Sequence, residues 1–308
     1  MNEKAKVLKR SIEQRIVGKG ELVDKVITTV LAGGHLLIED VPGVGKTSLA
    51  RALADSLSLS FARIQCTPDT TPSDITGLSV YNPIERAFQV VPGPVLNNIV
   101  LADELNRTSP RTQSALLEVM EEGRVTIDGK SLPVPEPFVV IGTQNPSEMA
   151  GTYPLPESQL DRFMIRLSIG YPDTEASRDM VGRFLDGRLH SETVPVLAAG
   201  DIVEMKAEVK AVSIHENISA YAVEIAEATR NRPEISCGAS PRALLSMLRY
   251  AQASAYMRGR SFCIPEDMED AALLTLPHRL ILSQGARLGR ITGEEALRSI
   301  LKQIKVPK

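Results

Sequence analysis

The sequence predicts an α/β protein, a P-loop αβα core with a parallel sheet, followed by a smaller all-helical domain. Apolar strand-like runs at 36–38, 61–65, 98–103 and 138–143 alternate with helical patterns, as parallel βα units require. The first run leads into a Gly-Lys-Thr turn and a further helix. Past Tyr171-Pro172-Asp173 strand signals stop and helical periodicity takes over, so the domains are expected at 1–170 and 171–308.

The organising stretch is Glu39-Asp40-Val41-Pro42-Gly43-Val44-Gly45-Lys46-Thr47. A strand, a glycine turn and a helix N-terminus make an anion cradle, because backbone N–H groups converge there. Pro42, Gly43, Val44, Gly45, Lys46, Thr47 and Ser48 are therefore the candidate phosphate contacts. Lys46 would reach the outer phosphates and the Thr47 hydroxyl would ligate Mg²⁺. Asp40 stands where this motif usually begins with glycine, a substitution that a turn tolerates. An ordinary glycine-rich turn is the competing explanation, and the later motifs weaken it.

Residues 3–15 have the spacing of an amphipathic helix and meet Ile16-Val17-Gly18-Lys19. Val17 and Gly18 could wrap an adenine ring, which needs apolar contact on its faces; plain helix packing is the alternative. A helix over 21–32 ends at Gly33-Gly34. Short alternating runs between Gly77 and Val91 read as an inserted β-hairpin.

The apolar run 98–102 delivers Asp103 and Glu104 at its end. Two carboxylates there suit metal-assisted phosphate hydrolysis: Asp103 would hold Mg²⁺ through its water shell, and Glu104 would polarise the attacking water. A helix from Pro110 closes at Gly123. A second hairpin, near 124–134, turns at Asp128-Gly129. The strand 138–143 ends near Asn145, a neutral amide able to bond the attacking water or the γ-phosphate. Arg162 follows a short helix, and its permanent guanidinium charge suits a phosphate in a neighbouring subunit; pairing within the chain is the alternative.

The second half reads as helices over 175–185, 201–212, 217–229, 241–256, 265–276 and 292–304, with a connector near 190–200. In Ser240-Pro241-Arg242 an N-cap and a first-turn proline precede an arginine that opposes the helix dipole, which suggests a compensating anion. A nearby carboxylate would also serve.

Composition narrows the class. Lys and Arg number 35 against 38 Asp and Glu, giving a net charge of −3, so no global field favours nucleic acid or an anionic membrane. Three separated cysteines make neither a disulfide framework nor a zinc pattern, and the four histidines lack ligand spacing. No signal peptide and no membrane-length apolar run is evident, so a cytoplasmic protein is expected.

Val-Pro-Gly-Val-Gly-Lys-Thr at 41–47, Leu-Ala-Asp-Glu-Leu-Asn-Arg at 101–107, Gly-Thr-Gln-Asn-Pro at 142–146 and Leu-Pro-Glu-Ser-Gln-Leu-Asp-Arg-Phe at 155–163 occur in that order. Together they resemble the MoxR family of AAA+ ATPases over nearly the whole chain. The resemblance implies Asn145 as sensor 1, Arg162 as an arginine finger acting in trans, and Arg242 as sensor 2 touching nucleotide phosphates. It also makes Gln65 similar to the polar residue that restrains the catalytic glutamate in related ATPases. ATP and Mg²⁺ are the implied ligands, and a hexameric ring and a von Willebrand factor A-domain adaptor the implied partners. The expected function is ATP hydrolysis coupled to chaperone-like remodelling, maturation, or metal or cofactor insertion in a client. A nucleic-acid motor and a non-hydrolysing nucleotide-dependent scaffold are the alternatives.

Overall fold

The computed structural model describes residues 2–146, 151–187 and 194–307. Two helices open the chain, α1 (Glu3–Glu13) and α2 (Gly20–Leu31). The core continues through β1 (Leu36–Glu39), α3 (Lys46–Ser56), β2 (Phe61–Gln65), α4 (Pro72–Thr76), the hairpin β3 (Gly77–Asn82) and β4 (Ala87–Pro92), and β5 (Ile99–Asp103). Next come α5 (Pro110–Glu122), the hairpin β6 (Arg124–Ile127) and β7 (Lys130–Pro133), β8 (Val139–Gln144), α6 (Glu157–Leu160) and β9 (Ile165–Leu167).

The main sheet has five parallel strands in the order β2-β5-β8-β1-β9. Its central strands are buried on both sides, which is why they read as continuous apolar runs. Alternation assigns their side chains to two cores. Leu36, Ile38, Ile99, Leu101, Val139 and Ile141 face α1, α2 and α3. Leu37, Val100, Ala102, Val140 and the fully buried Phe163 face α5 and the second hairpin. In register, Gln65 stands opposite Asp103, and Glu39 opposite Gln144, so the strands end together at one edge of the sheet. Ligands of open α/β sheets bind at that carboxyl edge.

Both expected hairpins form. The first is pinned at its base, where a Cβ on Gly93 would lie 2.3 Å from the Ile75 carbonyl oxygen and from the Gly77 nitrogen. Its outer end exposes Ile84 at the tip and Phe88, which meets Tyr81 edge-on. In the second, Asp128 and Gly129 both take positive φ (46° and 77°), as a two-residue turn between twisted strands demands.

Beyond residue 170 the chain forms α7 (Thr174–Leu185), α8 (Ala199–Lys210), α9 (Glu216–Arg230), β10 (Ile235–Cys237), α10 (Pro241–Met257), α11 (Pro265–Thr275), β11 (Ile281–Leu282), α12 (Gln284–Leu288) and α13 (Gly293–Leu301). Among the described residues this lid is helical apart from an isolated bridge between Ser213 and Phe262 and an antiparallel ribbon between β10 and β11, whose few residues show too little alternation to be read from sequence. Residues 190–193 of the expected connector lie outside the described residues. From Val194 the connector runs back to the core, where the N–H groups of Val196 and Leu197 both donate to the Ser56 carbonyl, at 2.9 and 3.3 Å. The N-terminal helices also reach the lid: Lys4 pairs with Asp201, and Asn2 donates to the Tyr256 hydroxyl. One apolar cluster therefore runs from α1 through the sheet into the lid.

Candidate active site

Gly43 and Gly45 adopt φ of 84° and 97°, and Gly45 caps α3. No atom within 4 Å would meet a Cβ at either position, so left-handed backbone geometry, rather than crowding, makes glycine fit here. The Lys46 side chain lies buried along the loop and donates to the Asp40 carbonyl at 2.6 Å. Asp40 explains its own departure from the motif. Its carboxylate accepts from Gly170 N–H (2.7 Å), Ser168 Oγ (2.9 Å) and Val41 N–H (2.9 Å), which ties the loop to the segment after β9. Burial pushes the Asp40 carboxyl up, but hydrogen bonds led by Gly170 and Ser168 outweigh it and hold the group below its ordinary value.

Asp103 and Glu104 leave the end of β5 in different directions because Glu104 takes a left-handed conformation, φ 58°. The Thr143 hydroxyl spans them: it donates to Asp103 Oδ1 at 2.7 Å and accepts the Glu104 N–H at 2.9 Å. Arg63 Nη2 donates to the other Asp103 oxygen at 2.6 Å and to Gln65 Oε1 at 2.8 Å. Gln65 is thus engaged with Arg63. Glu104 Oε2 pairs with Arg107, its i,i+3 neighbour, at 3.1 Å. The neighbouring Cys66 thiol is pushed up to about 12, by burial first and then by the charges of Asp103 and Glu104, which makes it a poor nucleophile.

Pro42, Gly43, Gly45, Lys46, Thr47 and Ser48 line one cavity of about 380 Å³ with Asp103, Glu104 and Asn145. Arg63 and Gln65 complete its wall. Arg63 and Thr143 were not singled out from the sequence. Each sits on a strand whose neighbour in the sheet is distant in the chain, and strand order is not a local signal.

Other candidates lie elsewhere. Val17 and Gly18 do not line this cavity. Gly18 (φ 71°) packs against α7, where an added Cβ would come within 2.5 Å of the Ala176 Cβ, and it borders a separate cleft of about 760 Å³ with Arg166, His278 and Gly293. Val44 packs on the adjoining apolar cluster. Arg162 donates to the Leu117 carbonyl at 2.6 Å and pairs with Glu121 at 3.0 Å. Arg242, expected against nucleotide phosphates, also pairs with Glu121 and is absent from the lining of its own chain's P-loop cavity. A compensating carboxylate has answered the unfavourable helix position.

The residues present fit a magnesium nucleotide. The left-handed glycines turn a helix N-terminus toward the cavity, Lys46 supplies a cation, and Thr47 and Asp103 offer hard oxygen ligands. No group of three or more His, Cys, Asp or Glu side chains able to hold a metal occurs among the described residues. Mg²⁺ bound mainly through phosphate and water needs none.

Residues 35–165 match the model of an ATPase family associated with various cellular activities (AAA), and residues 227–300 match an AAA lid domain. Chaperone MoxR1 of Mycobacterium tuberculosis is 38% identical over 96% of this chain and 81% of its own. The uncharacterized protein YeaC of Bacillus subtilis is 47% identical over 96% of this chain and 92% of its own. A crystal structure from Cytophaga hutchinsonii, described as a candidate ATPase, superimposes with a TM-score of 0.93 at 36% identity, covering 99% of this chain and 95% of that one. With this fold, this lid and these relatives, the chain belongs to the MoxR family of AAA+ ATPases.

Proposed function

We propose that the protein hydrolyses MgATP at a site completed by a neighbouring subunit and uses the cycle to remodel or mature a client protein. The observation that carries this reading is the single cavity shared by Lys46, Thr47, Asp103, Glu104 and Asn145. Lys46 and the N–H groups at the start of α3 bind the phosphates. Thr47, and Asp103 through water, would hold Mg²⁺, which would supply neutralisation of the phosphate charge. Glu104 accepts a proton from water as the water oxygen attacks the γ-phosphorus and the bond to the β–γ bridging oxygen breaks. Asn145 orients that water without adding charge. Before this, Glu104 must exchange Arg107 for the water, and Asp103 must release Arg63.

Arg162 is the finger for the adjoining subunit's γ-phosphate, and Arg242 contributes as sensor 2. A finger supplied in trans makes turnover depend on assembly, which supports a closed ring, taken as a hexamer from the resemblance. Val17 and Gly18 serve the adenine from the seam between core and lid. The first hairpin, with Ile84 and Phe88 exposed, passes lid motion to the client, and a separate von Willebrand factor A-domain protein acts as adaptor. The placement is cytoplasmic. No described helix is long and apolar enough to cross a membrane. A specific nucleic-acid partner is not proposed, given the net charge of −3.

Steady-state ATPase rate against protein concentration tests the reading. Wild-type specific activity is expected to rise with concentration, while Arg162→Ala binds ATP but stays about 10³-fold slower, the scale of a lost arginine finger. Glu104→Gln should bind ATP without turnover. A rate per subunit indifferent to concentration and to Arg162 would remove the composite site.

A further inference from the structure

The geometry points to Glu121 as a positioning residue that holds Arg162 of the core and Arg242 of the lid as a pair and restrains both until nucleotide phosphate displaces it. The inference rests on the composite-site reading above and adds the residue that governs when the finger is free.

Glu121 lies in the last turn of α5. Its Oε2 is 3.0 Å from Arg162 Nη2, and its Oε1 accepts from Arg242 Nη2. A carboxylate at a helix C-terminus opposes the dipole, so helix stability does not account for it. The two guanidiniums do. Both are permanently charged, and their convergence on one carboxylate leaves an excess positive charge.

Arg162 is also incompletely satisfied. Its Nη1 is spent on the Leu117 carbonyl, whereas its Nε, although buried, has no acceptor among the described residues. A phosphate group carries more charge than a carboxylate and offers three acceptor oxygens, so it can engage both arginines where Glu121 gives each one oxygen. The side chains of Arg162, Glu121 and Arg242 are 28%, 35% and 43% exposed, and ion pairs this open to water are weak enough to be exchanged.

The lid is held at the same place. Asp161, next to Arg162, accepts from the Ser240 hydroxyl at 3.2 Å and lies 3.4 Å from the buried Arg279. Ser240 caps the helix whose first turn carries Arg242. Release of Glu121 would therefore let finger and lid arginine move onto an anion together, whereas the Asp161 contacts keep the lid beside the finger.

The test is Glu121→Gln, read by ATPase rate across protein concentrations, nucleotide affinity and thermal melting. The Gln variant is expected to melt like wild type, to hydrolyse about three- to tenfold faster at concentrations below half-activation, the range of one or two exposed ion pairs, and to reach half-activation at lower concentration. The gain should vanish in Arg162→Ala. An unchanged or slower rate in a normally melting Glu121→Gln overturns the inference, because a mere tie between core and lid would alter melting but not free the finger. Should Gln lower the melting point, Glu121→Asp, which keeps the charge but withdraws it by one methylene, must still give a smaller rise, and no rise overturns the inference. Wild-type concentration dependence and the Arg162→Ala rate judge the composite site separately. If those hold and both Glu121 variants are neutral, only the role of Glu121 falls.

Discussion

Thr143 is the small residue on which two larger ones depend. Its hydroxyl fixes one Asp103 oxygen and the Glu104 amide at once, so the two carboxylates are aimed by one side chain from the adjacent strand. Thr143→Val keeps the shape but leaves Asp103 short of a donor, and losing a buried hydrogen bond to a charged group costs about 1.5–3 kcal/mol. We expect Thr143→Val to fold, to bind nucleotide more weakly than wild type in titrations with Mg²⁺ but equally well without it, and to slow ATP turnover at least tenfold. Wild-type affinity in the presence of Mg²⁺ would show that Asp103 needs no such support. Asp40 makes a different kind of contact, because its partners Ser168 and Gly170 hold the loop rather than the ligand.

At the scale of elements, the first hairpin shows how a β insert is tolerated inside an α/β core. Gly77 and Gly93 let its two ends approach closely, and the strands then project without joining the main sheet. Gly93→Ala would force the Ile75 carbonyl away and unseat α4, whose Ile75 is fully buried. A loss of about 1–3 kcal/mol, read by urea denaturation, is expected, as for overpacking elsewhere. An unchanged midpoint would mean that the base of the hairpin shifts freely. Replacing the exposed Ile84 with Ser should leave that midpoint unmoved, since the side chain packs on little.

For the whole molecule, two buried histidines record the cost of joining the layers. His35 accepts the Val140 N–H and faces the Met120 carbonyl; His278, at the seam of core and lid, bonds the Phe163 carbonyl. Burial lowers them to about 4 and about 3, with the nearby Arg279 charge adding to the effect at His278. Because the folded values lie below the unfolded one, the unfolded chain binds more protons in this window. Stability is full above about pH 6.5 and falls toward pH 4 by about 1.4 kcal/mol per unit for each histidine. Thermal melting from pH 7 to pH 4 should show this loss, and His278→Gln should shrink it; a pH-independent melting point would contradict the buried neutral state.

Features that lie within short stretches of chain were legible from residue order alone. Gly43, Gly45, Lys46 and Thr47 encode a turn and a helix start, Asp103 and Glu104 end an apolar run, and Asp128-Gly129 fixes a two-residue hairpin. Each depends on neighbouring residues and on backbone preferences that act locally. Which of these stretches meet is set by how the elements pack. The order β2-β5-β8-β1-β9 brings Arg63 and Thr143 to Asp103 across distant chain segments. Packing of the lid on the core likewise delivers Arg242 to Glu121, a partner that no spacing could name. The physical reason is that contacts between elements follow from sheet order and layer packing, which satisfy the whole chain's apolar surface at once and leave no mark in a local pattern.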